Sequence, residues 1–222
     1  MSQHMMPPLH FGDLSARLPI IQGGMGVGIS GARLAAAVAN QGGIGVISAV
    51  ALGVVHPEPS ESYKKGNKRA LSQEIRKARS LSDGLIGVNI MVALSDYDEL
   101  LETALDEDVD FLFLGAGLPL KFPDSIPPER LRRTRSKIVP IVSSAKAASL
   151  ILRHWSKRFQ HVPDGFVVEG PKAGGHLGFK PEQIDDPSYD LSRLIPEVVQ
   201  TVSPYAGRYL KSIPVIAAGG IY

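Results

Sequence analysis

With 222 residues, the chain is long enough to bury a full hydrophobic core and falls in the range of one large domain or two small ones. Hydrophobic residues at 44% and charged residues at 21% exclude disordered and fibrous classes, and a net charge of +2 calls for neither nucleic acid nor an anionic membrane. The absence of cysteine excludes disulfides, thiolate nucleophiles and Cys-based metal sites. No run approaches the roughly 18 apolar residues of a membrane span, and residues 1–10 lack a charged segment followed by an apolar one, so a cytoplasmic location is expected.

Along the chain, short apolar runs alternate with longer amphipathic ones. Residues 18–22 (LPIIQ) read as a first strand ending in a glycine loop, QGGMGVGISG at 22–31. The alanine-rich stretch 30–40 reads as a helix opened by Ser30; Gly42 and Gly43 stop it, and 44–49 is a second buried strand. A polar, proline-bearing stretch at 56–60 precedes a helix at 68–79 and a strand at 85–91. Next come a helix at 96–105 and a strand at 111–114 that ends in Gly115-Ala116-Gly117. Residues 137–142 form a strand ending in Ser143-Ser144, and the helix 145–159 places Ile151, Trp155 and Phe159 at steps of four, the spacing of one buried stripe. A sixth strand at 165–168, a helix at 193–202 and a seventh strand at 213–218 complete the pattern. Continuous apolar strands, each followed by a helix, imply a parallel sheet covered by helices: a doubly wound sheet or a (β/α)8 barrel.

The glycine loop helps choose between them. Gly26-x-Gly28-x-x-Gly31 matches the dinucleotide-binding spacing, but that motif needs an acid about 20 residues on to hold the ribose, and the first acid after it is Glu58. The match is therefore incidental. The strand ends are Gly23-Gly24-Met25, Ser48-Ala49, Asn89, Gly115-Ala116-Gly117, Ser143-Ser144, Glu169-Gly170 and Gly219-Gly220. They are small or polar where the strand interiors are aliphatic, as a cofactor lying across the mouth of a barrel requires. Gly219-Gly220 falls where barrels bind phosphate through backbone N–H groups, with a tight turn as the plain alternative.

His176 follows two glycines and precedes a third in VVEGPKAGGHLG. Such a bracket lets the backbone approach a ligand while the imidazole projects from it, and a reference pKa near 6.5 suits a proton acceptor at neutral pH. The alternative is a loop histidine with no task. The basic run at 130–137 has no interleaved aromatics and reads as a solvated helix face or loop. His154, His161, His4, His10 and His56 show no ligand spacing, so no metal is expected.

Five segments, PIIQGGMGVGIS, GVNIM, PIVSSAKAA, VVEGPKAGGHLGF and IPVIAAGGI, together resemble the nitronate monooxygenase family, formerly called 2-nitropropane dioxygenases. That family consists of FMN-dependent (β/α)8 TIM barrels and shares its fold with the FMN-dependent enoyl-ACP reductases. The resemblance runs from about residue 18 to the end and implies a single FMN-binding barrel domain over residues 1–222. By that resemblance Gly24, Met25 and Gly26 lie beside the flavin ring, Asn89 hydrogen-bonds the ribityl phosphate region, Ser143 and Ser144 line the far edge, and Glu169 binds ribityl hydroxyls. Gly174, Gly175, Gly219 and Gly220 supply phosphate-facing N–H groups, and His176 sits over the flavin as base or as the donor that orients the substrate. The implied activity is oxidation of alkyl nitronates with O2 to carbonyl compounds and nitrite. Two alternatives stay open: an NAD(P)H-using reductase of enoyl thioesters, and a flavin-binding protein without turnover. The expected partners are a small-molecule substrate with O2 or NAD(P)H, no nucleic acid and no membrane, and a homodimer is a candidate assembly. The family pattern continues past Gly220 into an eighth strand that completes phosphate binding, whereas this chain stops at Tyr222. The expectation is therefore an incomplete barrel, with FMN bound poorly by a true 222-residue product.

Overall fold

The computed structural model describes residues 6–221, so His4 and the chain end at Tyr222 lie outside the described residues. Two units divide the chain between Leu112 and Phe113. The first opens with a hairpin that carries no strong sequence signal: β1 (Leu9–Phe11) pairs antiparallel with β2 (Leu14–Ala16), turning at Gly12 with φ +60°. Its inward residue, Phe11, is buried edge-on to Phe111 at 4.9 Å.

The first strand expected at 18–22 is absent as a strand. Leu18 N–H donates to the Gly42 carbonyl, Ile44 N–H to Ile20 and Gln22 N–H to Ile44, leaving one parallel bridge, Ile21 to Ile44. Pro19 removes a ladder donor near its start and two glycines follow its end, so the pairing cannot lengthen either way.

Helix α1 (Ala32–Asn40) starts two residues later than the sequence suggests, with Gly31 rather than Ser30 at its N-cap. The Ser30 hydroxyl is occupied elsewhere, and the Ala32 N–H donates instead to Glu74 Oε2 at 2.5 Å. Beyond it lie β3 (Gly45–Ser48), the short α2 (Leu52–Val55), α3 (Tyr63–Leu81), β4 (Ile86–Met91) and α4 (Tyr97–Asp106). The helix expected at 68–79 thus begins five residues earlier. Its first turns hold α2 in place: Gly53 N–H donates to Asn67 Oδ1 at 2.7 Å, and Asn67 donates to the buried Asp96 at 2.6 Å. β3 and β4 run parallel, from Gly45 opposite Ile86 to Ser48 opposite Asn89.

Gly45 is the tightest point of helix-to-strand packing in this unit, since a Cβ there would land on the Ala35 carbonyl of α1. Backbone cannot yield as a flexible side chain can. Gly45→Ala is expected to destabilise the protein by about 1–3 kcal/mol, the usual range for overpacking, read as a lowered denaturation midpoint. An unchanged midpoint would show that α1 and β3 separate freely.

β5 (Phe111–Gly115) runs across the division between the units. The second unit then contains α5 (Pro128–Arg133), β6 (Lys137–Val142), α6 (Ala145–Arg158), β7 (Phe166–Glu169), two 3-10 turns (Pro181–Gln183 and Pro187–Tyr189), α7 (Leu191–Tyr209) and β8 (Val215–Ala218). The basic run starts on α5, which buries only Leu131 and leaves its arginines at the solvent side. On α6 the stripe Ile151 and Trp155 is fully buried, and the indole N–H donates to the Pro119 carbonyl at 2.7 Å. Helix α7 extends well past 193–202 and passes through Pro196 and Pro204. Burial of Leu194, Val198 and Val202 along one stripe compensates the bonds that the two prolines forfeit. β6 pairs parallel with β7, and β7 with β8. Apart from the opening β1–β2 hairpin, β3 and β4 in the first unit and β6, β7 and β8 in the second lie parallel with helices between them, the α/β class expected.

Candidate cofactor and active site

In the first unit the glycine loop lies over the C-terminal ends of β3 and β4. A Cβ on Gly24 would come within 2.5–2.6 Å of the Asn89 side chain, and one on Gly26 would meet Val50 at 3.4 Å and approach Ser48 Oγ at 4.0 Å. Two of the expected site residues, Gly24 and Asn89, are therefore brought together, and bare backbone at Gly24 is what permits it. Met25 is 45% exposed. The N–H groups of Gly24 and Gly26 carry no hydrogen bond to another described residue.

In the second unit the expected residues gather around the exits of β7 and β8. Glu169 lies opposite Ala218 in register, and Gly170 N–H donates to the Ala218 carbonyl at 2.9 Å. Gly219 and Gly220 both take positive φ, +88° and +69°, which glycine alone adopts without strain. They press on the β7 loop: a Cβ on Gly219 would meet Ala173 at 2.7–2.9 Å, and one on Gly220 would meet Lys172 at 2.9 Å. Gly174 and Gly175 have open space around them, Gly175 is left-handed at φ +88°, and His176 beyond them is exposed. Ser143 is drawn to the same loop, because a Cβ on Gly178 would collide with its hydroxyl. Ser144 has another task, capping α6 by accepting from Ala147 N–H at 3.3 Å. Burial of Glu169 raises its carboxyl pKa above the usual carboxylate range, since little water reaches the charged form.

Sequence reasoning missed the inner supports of the glycine loop. It made Ser30 a helix cap, whereas the structure buries Ser30 completely and turns its hydroxyl back into the loop. Glu74, which caps α1 from a distant helix, has no local signal at all, because its partner is 42 residues away. Among the described residues no cluster of three or more His, Asp or Glu could hold a metal ion, and no helix is long and apolar enough to cross a membrane.

Parallel strands alternating with helices, with glycines and short polar side chains at the strand exits, define an α/β protein of the (β/α)8-barrel class. The sequence model of the nitronate monooxygenase family matches residues 11–106 and 96–222, and the chain belongs to that family. It is similar to a protein of Mycobacterium tuberculosis named (3aS,4S,5R,7aS)-5-hydroxy-7a-methyl-1-oxo-octahydro-1H-indene-4-carboxyl-CoA dehydrogenase, at 28% identity over 92% of this chain and 46% of that protein. A probable nitronate monooxygenase of Bacillus subtilis is likewise 28% identical, over 91% of this chain and 58% of its own length. Among solved structures, FabK of Thermotoga maritima superimposes with a TM-score of 0.64 at 28% identity, covering 91% of this chain and 51% of that one. Nitroalkane oxidase from Streptomyces ansochromogenes superimposes with a TM-score of 0.66 at 24% identity, over 92% of this chain and 59% of that one, which supports the fold. The chain spans about half the length of the curated relatives it matches.

Proposed function

We propose that the chain is an FMN-binding oxidoreductase that oxidises alkyl nitronates with O2 to carbonyl compounds and nitrite. The observation that carries this reading is the second unit's constellation: an exposed His176 on a glycine-bracketed loop, held against the left-handed Gly219-Gly220 pair at the exit of β8. The residues fit FMN in kind. Taken by itself, the first unit offers N–H groups at Gly24 and Gly26 that carry no hydrogen bond to another described residue, suited to ring carbonyls; the second unit, taken by itself, offers the Gly219-Gly220 backbone, suited to a phosphate. Glu169, poorly hydrated, gains from hydroxyl donors of a ribityl chain, which supply the hydrogen bonds that water does not.

FMN, when bound, supplies the electron transfer between substrate and O2. The protein's part is to orient and to move a proton. His176 accepts the proton on the carbon next to the nitro group when the substrate arrives neutral, and orients the nitronate when it arrives already ionised. Glycines around it leave room for the substrate carbon to approach the imidazole.

A second reading, an NAD(P)H-using oxidoreductase of acyl thioesters, is favoured by the relative named as a carboxyl-CoA dehydrogenase. Anaerobic mixing separates the two. Protein loaded with excess FMN should show flavin absorbance that an alkyl nitronate bleaches and NADPH does not. Bleaching by NADPH alone would replace the first reading with the second, and colourless protein that takes up no FMN would remove both.

A further inference from the structure

We infer that Ser30 and Gln22 are the positioning pair of the glycine loop, and that they select Gly24 and Gly26, not Met25, as the backbone donors offered to the flavin. The inference deepens the flavin reading and rests on it for the identity of the ligand.

Ser30 is fully buried, and its hydroxyl uses all of its hydrogen-bonding capacity. It accepts from Met25 N–H at 3.0 Å and from Gln22 Nε2 at 3.0 Å, and donates to the Gly23 carbonyl at 3.0 Å. The Ser30 N–H adds a bond to the Met25 carbonyl, and its own carbonyl accepts from Ser48 N–H on β3. Met25 is thereby fixed through both backbone polar groups to one residue. Gln22 anchors the assembly to the sheet, because its amide donates to the Val46 carbonyl at 2.9 Å and accepts from Val46 N–H at 3.4 Å, imitating a neighbouring strand.

The consequence is an alternation. The Met25 N–H points inward and is consumed, while those of Gly24 and Gly26 on either side have no bond to another described residue. A ligand lying on the loop meets two backbone donors and the Met25 side chain between them. Without the hub, a loop with Gly at 23, 24, 26 and 28 has ample backbone freedom, and ordering it would weaken binding. Neither Ser30 nor Gln22 touches the ligand in this arrangement.

The test is Ser30→Ala beside Gln22→Leu, each compared with the unaltered protein for amide hydrogen exchange at residues 23–29 and for FMN titration. Ser30→Ala should speed exchange at Met25 by about tenfold or more and weaken FMN binding by about tenfold, with far-UV circular dichroism unchanged. Gln22→Leu should show the same pair of effects, because it breaks the hub's link to β3. Unchanged exchange at Met25 in both variants would overturn the hub. Faster exchange with an unchanged FMN affinity would overturn its role in presenting the donors. If the unaltered protein binds no FMN at all, the flavin reading fails instead, and the exchange result still decides whether the hub exists.

Discussion

Replacing His176 with alanine is expected to slow oxidation of neutral nitroalkanes by about 10²- to 10⁴-fold, the usual worth of a positioned general base, while FMN content and the denaturation midpoint stay unchanged. Structural silence is expected because the side chain is exposed and follows glycines with open space around them, so no packing is lost. The chemical loss should depend on the substrate's protonation state. A neutral nitroalkane must surrender a carbon-bound proton, and removal of the imidazole leaves only water to take it. A nitronate prepared in advance has already lost that proton, so its turnover should fall far less. The ratio of the two rates isolates the base from every other effect of the substitution. Equal losses on both substrates would give His176 an orienting role only, and no loss on either would remove it from the site. The conservative His176→Gln variant adds a check, since it can donate a hydrogen bond but cannot act as a base near neutral pH.

The sequence made this part of the molecule legible because it is local. Six of the strands expected from apolar runs are present with ends moved by a residue or two, and the stripe Ile151 and Trp155 is buried as its spacing implies. The glycines at 175, 219 and 220 announce themselves for the same reason: a left-handed backbone leaves its mark on the residue that adopts it. What stayed hidden depends on distance or on competition. Residues 18–22 carry a strand's composition, yet Pro19 and the glycines beyond limit them to one bridge. Ser30 has the chemistry of a helix cap and the position of one, and only the fold shows that three loop partners outcompete the helix for its hydroxyl. The helix expected at 193–202 runs on through Pro204 to Tyr209, an extension that its apolar pattern does not mark. Residues shaping the glycine loop from underneath were the least visible, since Glu74 and Gln22 gain their roles from partners on other elements and Ser30 from the loop that folds around it.

A second histidine, His161, should make the protein acid-labile, and its replacement by phenylalanine should remove that liability. The ring stacks on Trp155 with centroids 6.2 Å apart and planes 22° from parallel, and its Nε2 is buried without a hydrogen-bond partner among the described residues. Burial lowers its pKa to about 4, helped by the Lys211 and Arg132 cations and opposed by the Asp164 carboxylate. Asp164 is already engaged by Lys211 at 2.8 Å, so it offers the imidazolium little relief. Below its ordinary value near 6.5 the unfolded chain takes up a proton that the folded protein refuses until about pH 4. Stability therefore falls as pH drops through that window and levels off beneath it, by a total of about 3 kcal/mol. Glu99 and Glu107, whose pKa values are lowered by Lys64 and Arg76, lose stability in an overlapping acid range, so the contribution of His161 must be read as a difference between proteins. Trp155 is the chain's only tryptophan, and its fluorescence reports the unfolding of this packing directly. Urea titrations followed at that signal should show the unaltered protein losing about 3 kcal/mol more than His161→Phe between pH 7 and pH 4. Parallel pH dependences for the two would mean that the imidazole is hydrated after all. The distinction bears on any activity profile: an acid limb that disappears in His161→Phe reports loss of folded protein, and only the part that survives belongs to the chemistry of the site.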